Sequence, residues 1–123
     1  MSQDIVADAL GQIMNAKKSN KDSVTISRTS KLLFSLFDIM KERGYIDFDK
    51  KENSVEVKFL KLNECKAIKP RYYIKSDGLD KYLRRYLPSR NFGFLIVSTS
   101  KGLMDQSQAD EAKIGGSLIA YFY

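Results

Sequence analysis

The chain has 123 residues with no histidine and one cysteine, and its 21 lysine and arginine residues outnumber 15 acidic residues for a formal charge of +6. This length suits one compact domain or two small packed halves, and a hydrophobic content of 43% is enough for a core, which argues against wholesale disorder. The absence of histidine removes the commonest general base and the commonest zinc ligand together. The basic balance favours a polyanion as partner, either nucleic acid or an anionic membrane.

The single cysteine, Cys65, cannot form an internal disulfide, which is typical of a reducing, cytosolic setting. No apolar run reaches the length of a membrane span, and the first residues lack the basic, apolar and small-residue order of a signal peptide. We therefore expect a soluble, cytoplasmic protein.

Apolar periodicity in the first half predicts an α-β-α-β-β unit. The second helix can be capped by any of three hydroxyls, on Ser27, Thr29 or Ser30. The predicted elements, in chain order, are a helix that opens at Ser2, a polar loop over 17–23, a strand over 24–27, a helix that stops at Gly44, and strands over 45–48 and 55–60 joined by a turn over 49–54.

The second half is predicted to alternate short strands and helices. Its elements are a strand over 71–75, a helix over 79–87 that Pro88 ends, a strand over 92–97, a helix over 106–113 that Gly115 and Gly116 break, and a strand over 117–123. The boundary between the halves is placed near residues 63–67. We expect an α+β fold of two small packed subdomains, 1–63 and 64–123, each with a short mixed or antiparallel sheet and one or two helices.

The most informative segment comprises Ser98, Thr99, Ser100, Lys101 and Gly102, which we call the hydroxyl turn, at the end of a predicted buried strand. Small hydroxyl donors and one cation at a rigid strand end suit contacts with phosphates, sugars and base edges. Catalysis is less favoured, because no neighbouring group is suited to activate a serine. The alternative from another class is a small hydrolase or nuclease with a Ser–Lys dyad in this turn, which requires a desolvated lysine close to the serine.

Cations are concentrated between Lys66 and Arg90, where eight basic residues stand against two acidic ones. Arg84, Arg85 and Arg90 form a guanidinium cluster that matches phosphate geometry, and a solvated surface is the ordinary alternative. A third alternative is a membrane surface bound through this stretch, but no helix with a wide apolar face supports it.

Other features are given structural interpretations. Six tyrosines are interleaved with basic residues, and we expect most to be core residues and one or two to stack on unpaired bases. Gly115 and Gly116 indicate close approach of the backbone to a neighbour, protein or RNA. Asp105, Asp110 and Glu111 are interpreted as a solvated face rather than a metal site. The six tyrosines are Tyr72, Tyr73, Tyr82, Tyr86, Tyr121 and Tyr123.

The order of these motifs resembles the small-subunit ribosomal protein S8 family, in its archaeal and eukaryotic branch. The resemblance covers essentially the whole chain. The segments that carry it are DIVADAL at 4–10, NA at 15–16, SK at 30–31, GYI at 44–46, IKPR at 68–71, LPSRNFGF at 87–94, STSKGLM at 98–104 and GG at 115–116.

The resemblance implies a structural constituent of the small ribosomal subunit that is not an enzyme and has no catalytic residue, cofactor or metal. Its expected partners are the central domain of small-subunit rRNA, bound at an irregular bulged helix, neighbouring small-subunit proteins, and its own mRNA. Ser117 departs from the family pattern, which has Glu or Lys after the double glycine. The RNA-binding residues expected are Ser98, Thr99, Ser100, Lys101, Gly102, Arg71, Arg84, Arg90, Lys31, Asn15, Gly115 and Gly116.

Overall fold

The computed structural model describes residues 5–68, 73–88 and 92–123. The chain divides into two compact units, Met1–Cys65 and Lys66–Tyr123, each with helices and an antiparallel sheet. The predicted α+β class is confirmed. Among the described residues, no helix is both long enough and apolar enough to cross a membrane.

The N-terminal unit is built from two helices and a three-stranded antiparallel sheet with the order β1-β3-β2. Its elements are α1 (Ile5–Lys18), β1 (Ser23–Ile26), α2 (Lys31–Glu42), β2 (Ile46–Lys50) and β3 (Val55–Phe59). Residues of α1 at helical spacing, from Val6 to Ala16, are buried, as are Leu33, Leu36, Phe37 and Met40 of α2. The predicted first residue of this helix, Ser2, lies outside the described residues.

The ends of α2 follow from its flanking residues. The hydroxyl of Ser30 accepts a hydrogen bond from the Leu33 amide at 3.1 Å, so Ser30 is the N-cap among the three candidates. Gly44 follows the helix with φ +82, and the amide of Tyr45 donates to the Met40 carbonyl at 2.9 Å. This is a Schellman ending, in which glycine tolerates the left-handed conformation that lets the chain turn into β2.

The C-terminal unit has a five-stranded antiparallel sheet and two helices. The strand order is β4-β8-β6-β7, and β5 also pairs with β8. The elements are β4 (Cys65–Ala67), β5 (Tyr73–Ile74), a 3-10 turn (Ser76–Gly78), α3 (Leu79–Tyr86), β6 (Phe94–Thr99), β7 (Gly102–Asp105), α4 (Gln106–Ala112) and β8 (Gly116–Phe122).

Three elements of this unit differ from the predictions. The strand β6 continues through Thr99 and pairs with β7, which was not predicted, so the hydroxyl turn belongs to a β-hairpin rather than to a strand end. Residues of the predicted linker form β4. The helix α4 ends at Ala112 because Lys113 takes a left-handed conformation with φ +55, before the double glycine is reached.

Candidate nucleic-acid interface

The hydroxyl turn lies at the tip of the β6–β7 hairpin. Thr99 pairs with Gly102, so Ser100 and Lys101 form a two-residue connection, and both are exposed. Gly102 has φ +103, a conformation that residues with a side chain rarely adopt, although nothing lies within 4 Å of the position of a Cβ. The hairpin therefore presents a hydroxyl and an ammonium group to solvent at its tip.

The three hydroxyls of the turn have different environments. The Thr99 hydroxyl donates to the Gly102 carbonyl at 2.8 Å and accepts from the Lys101 amide at 3.1 Å, so it holds the tip closed. Ser100 is exposed, and Ser98 is half-buried on β6, where it pairs with Leu103 and Ser117. The Thr99 hydroxyl therefore closes the turn, whereas the hydroxyls of Ser98 and Ser100 lie at partly or fully exposed positions.

The double glycine brings the neighbouring strands together. A Cβ on Gly115 would collide with the Ile74 carbonyl and lie 2.9 Å from the Cα of Lys75. A Cβ on Gly116 would collide with the Ser98 carbonyl. Both glycines therefore allow the backbone to approach protein neighbours on β5 and β6, and their expected contact with RNA stays a prediction.

Two buried polar side chains, Asp105 and Gln106, lie where β7 meets α4, and no role was predicted for Gln106 from the sequence. The Asp105 carboxylate accepts from the Gln108 amide at 2.9 Å, and the Gln108 side chain accepts from the Asp105 amide at 3.1 Å, which is a capping box at the start of α4. The Gln106 side chain accepts from the Leu95 amide at 2.9 Å and donates to the Gly93 carbonyl at 3.2 Å. The two bonds of Gln106 tie α4 to the start of β6.

Asp105 corrects one interpretation of the sequence. It was placed on a solvated acidic face, but its side chain is fully buried because it caps α4, whereas Asp110 and Glu111 are exposed. Among the described residues, no group of three or more histidine, cysteine or acidic side chains is placed to hold a metal ion.

The expected cationic contacts are spread over both units. Arg84 lies exposed in the last turn of α3, next to Arg85, whose guanidinium carbon is 5.7 Å from the centre of the Tyr86 ring. In the N-terminal unit, Lys31 is exposed at the first residue of α2 and Asn15 is exposed on α1. Two further predicted contacts, Arg71 and Arg90, lie outside the described residues.

The tyrosines differ widely in exposure. Tyr121 is buried and stacks between Tyr86 and Tyr123, with ring centroids 5.5 and 6.2 Å away. Tyr82 is half-buried against the same core, whereas Tyr73 on β5 has 73% of its surface exposed. Tyr72 is outside the described residues. Most of the described tyrosines are thus packing residues, and Tyr73 stands apart.

An exposed lysine beside hydroxyls at a hairpin tip offers the kind of groups with which polyanion-binding proteins make their contacts. The family model described as Ribosomal protein S8 matches residues 4–123. The chain therefore belongs to the ribosomal protein S8 family, which confirms the resemblance, and it is a structural ribosomal protein rather than an enzyme.

Relatives from three archaea match along nearly their whole length. The small ribosomal subunit protein uS8 of Nanoarchaeum equitans is 43% identical over 129 residues, with all of both chains covered. The uS8 protein of Methanococcoides burtonii is 40% identical over 126 residues, which cover 98% of this chain and 97% of the relative. That of Halobacterium salinarum is 39% identical over 128 residues, with 99% and 98% covered.

Proposed function

We propose that this protein is a structural constituent of the small ribosomal subunit that binds the central domain of small-subunit rRNA at an irregular bulged helix and helps the subunit to assemble. The family and the relatives named small ribosomal subunit proteins support the ribosomal role.

The observation that carries the proposal is the exposed tip of the β6–β7 hairpin, with Ser100, Lys101 and the nearby Ser98. A-form RNA hides its base edges in a deep, narrow major groove, so proteins contact its shallow minor groove and its irregular features. Short hydroxyls can approach a shallow groove closely, and surrounding cations strengthen binding by neutralising phosphates. The Thr99 hydroxyl closes the tip through the Gly102 carbonyl and the Lys101 amide, which reduces the conformational freedom that these groups lose on binding.

The two predicted domains make different contacts in this proposal. The C-terminal domain, 64–123, carries the hydroxyl turn, the arginines and the double glycine, and it makes the specific RNA contacts. The N-terminal domain, 1–63, adds Lys31 and Asn15, and the protein also contacts neighbouring small-subunit ribosomal proteins. The RNA-binding surface of the C-terminal domain also binds messenger RNA that reproduces the bulged helix, including the protein's own mRNA. The protein acts in the cytoplasm.

Footprinting on the naked central domain of the protein's own small-subunit rRNA tests this proposal. We expect protection of one discrete bulged helix. The double variant Ser98→Ala/Ser100→Ala lacks the two accessible hydroxyls and should lose the discrete protection. The control Gly11→Ala, at an exposed position of α1, should keep it. Diffuse protection that grows with RNA length would leave only non-specific binding of a polyanion and overturn the proposal.

A further inference from the structure

An open pocket of about 490 Å³ lies in the N-terminal unit, between the residues that lead into α2 and the turn that joins β2 to β3. None of its lining residues is among the RNA contacts expected from the sequence. We call it the basic pocket. The polar and cationic residues of its lining on which the argument rests are Ser27, Arg28, Thr29, Lys50, Lys51 and Ser54.

Cations outnumber carboxylates in this lining, where Glu52 stands against three basic side chains. The ammonium group of Lys50 lies 4.4 Å from the centre of the Phe34 ring, within the range of a cation–π contact. Phe34 is half-buried, and its ring centre is 6.3 Å from that of Phe48. A packed ring therefore positions one cation of the pocket.

The guanidinium group of Arg28 is oriented by α1. Its Nη1 atom lies 2.9 Å from Oδ2 of Asp8, in a bridge that leaves half of the Arg28 side chain exposed. A guanidinium group has five N–H donors, so those that do not face Asp8 can bond an anion. Because an exposed bridge contributes little to stability, its main effect is on the direction of Arg28.

The N-terminal ends of both helices of the unit lie beside the basic pocket. Ile5, the first described residue of α1, belongs to its lining, and Thr29 directly precedes Ser30, the N-cap of α2. The first amides of a helix lack partners within the helix, and this end carries a partial positive charge. The two helix dipoles therefore add to the three cations in attracting an anion.

We propose that the basic pocket binds the phosphate group of a nucleotide, with Arg28, Lys50 and Lys51 as charge partners and the hydroxyls of Thr29 and Ser54 as donors. Guanidinium groups match phosphate geometry, and hydrogen bonds to an ionised phosphate are stronger than those between neutral groups. The amide of Lys51 donates to the Ser54 carbonyl at 2.7 Å, which closes the turn that carries these two residues. The volume also lies within the range of about 300–1,000 Å³ that is usual for small-ligand sites.

This site goes beyond the proposed function, because it uses neither the hydroxyl turn nor the bulged helix. A nucleotide phosphate can come from a second segment of RNA or from a free nucleotide, and the chemistry that recognises it is the same. The two sources give different results when RNA and a free nucleotide are tested separately.

Titration with adenosine 5′-monophosphate, followed through amide NMR signals, tests the pocket directly. We expect shifts confined to residues 27–29 and 50–54, and no such shifts with adenosine, which lacks the phosphate. Lys50→Gln/Lys51→Gln should bind the monophosphate about tenfold more weakly, because it loses bonds to a charged group. Lys50→Arg/Lys51→Arg keeps both charges and should retain binding.

The matched control is Lys21→Gln/Lys58→Gln, which also removes two exposed lysines of the N-terminal unit. Lys58 pairs with Ser23 at the start of β1, whereas Lys50 pairs with Val55 at the other end of β3. The control therefore lowers the net charge equally, away from the basic pocket, and should bind the monophosphate as the unchanged protein does.

Three RNAs identify the source of the phosphate: the complete small-subunit rRNA and two short hairpins. The bulged hairpin carries the bulged helix from the central domain, and the paired hairpin is fully paired. For a phosphate of a second RNA segment, Lys50→Gln/Lys51→Gln should bind the complete rRNA about tenfold more weakly and both hairpins unchanged. For a free nucleotide, the variant should bind all three RNAs unchanged and lose affinity only for the monophosphate.

Three results would overturn the phosphate site and leave the proposed function standing. They are equal shifts with adenosine and its monophosphate, equal losses of affinity in the two lysine-to-glutamine double variants, and a glutamate-rich peptide that binds the pocket more tightly than the monophosphate. The last result would assign the pocket to an acidic protein segment. The proposed function fails separately, if the unchanged protein does not prefer the bulged hairpin to the paired hairpin.

Discussion

At the scale of single residues, Gly116 shows how a missing side chain lets two strands pair. A Cβ there would collide with the Ser98 carbonyl and lie 3.0 Å from Cγ1 of Val97, which is buried in the core. We expect Gly116→Ala to lower the free energy of unfolding by about 1–3 kcal/mol, the usual cost of forcing atoms into a packed site. Urea unfolding followed by circular dichroism measures the change.

Gly11→Ala is the matched control for this substitution. A Cβ at Gly11 meets nothing within 4 Å, and the residue lies inside α1, where alanine is favoured over glycine by about 0.5–1 kcal/mol. The control should therefore stabilise the protein. Equal effects of the two substitutions would show that Gly116 is not held by the close approach of β6.

Cys65 gives a second prediction at this scale. Burial, with a smaller contribution from the charge of Glu64, raises the pKa of the thiol from 9.0 to about 12. The folded state therefore disfavours the thiolate, while the unfolded chain ionises near the ordinary value. The contribution of this group to stability is complete below about pH 9 and is lost as the pH rises towards 12.

Thiol labelling and unfolding measurements check this prediction. At pH 8 the native protein should react with a thiol reagent far more slowly than the urea-unfolded chain, since the thiolate is the nucleophile. Between pH 9 and 11, the unchanged protein should lose more unfolding free energy than Cys65→Ala, which lacks the ionising group. Parallel pH profiles of the two proteins would contradict the raised pKa.

At the scale of elements, different residues of the β6–β7 hairpin close the turn and contact the RNA. Thr99→Val removes the hydroxyl that bonds the Gly102 carbonyl and the Lys101 amide, so we expect a lower melting temperature and weaker binding to all RNAs alike. Ser100→Ala removes an exposed hydroxyl, so we expect an unchanged melting temperature and about 1–3 kcal/mol weaker binding to the bulged hairpin only. Thermal melting beside binding to bulged and paired hairpins distinguishes the two.

The opposite assignment of the two residues would contradict the hydrogen bonds of the hairpin. If Ser100→Ala lowered the melting temperature while Thr99→Val changed only the preference for the bulge, the tip would close through Ser100. The Ser98→Ala substitution provides an internal comparison, because Ser98 is half-buried on β6 and pairs with Ser117. We expect it to resemble Ser100→Ala.

Sequence patterns predicted the helices better than the pairing of the strands. The apolar stripe of α1 and the capping hydroxyl of α2 are local signals, and both appear in the structure. In contrast, β4 is three residues long, and the start of β7 at Gly102 was interpreted as the end of a turn. Strands this short acquire their identity from partners distant in sequence, so no local pattern specifies them.

The candidate site shows the same limit. The exposed hydroxyls and Lys101 were predicted from residue type, because their chemistry is evident in the sequence. The alignment of Tyr73, Ser117 and Ser98 across neighbouring strands depends on the order β5-β8-β6 and on its register. A slip of one residue in that register would turn the side chains of a strand to the other face of the sheet. No local sequence pattern specifies this alignment, so it could not be predicted from the sequence.

At the scale of the whole molecule, the charge of +6 predicts that RNA affinity falls as the salt concentration rises. We expect the arginines that contact phosphates to determine how steeply it falls. Arg84 is exposed on α3, and Arg71 and Arg90 are predicted contacts of the same unit. Replacement of each by alanine should weaken binding to bulged and paired hairpins alike. Each lost phosphate contact should reduce the slope of log affinity against log salt by about 0.9 or less.

The Lys21→Ala variant distinguishes the effect of a lost phosphate contact on RNA affinity from the effect of a lower net charge. Lys21 is an exposed cation between α1 and β1 and is not one of the predicted RNA contacts, so its removal changes the net charge by the same amount as the loss of Arg84. Salt at about 0.1 M largely screens an exposed charge that contacts no phosphate, so the Lys21→Ala slope should stay close to that of the unchanged protein. Binding titrations between 50 and 300 mM potassium chloride measure both slopes. Equal reductions for Lys21→Ala and Arg84→Ala would show that net charge, rather than phosphate contact by the C-terminal unit, sets the affinity.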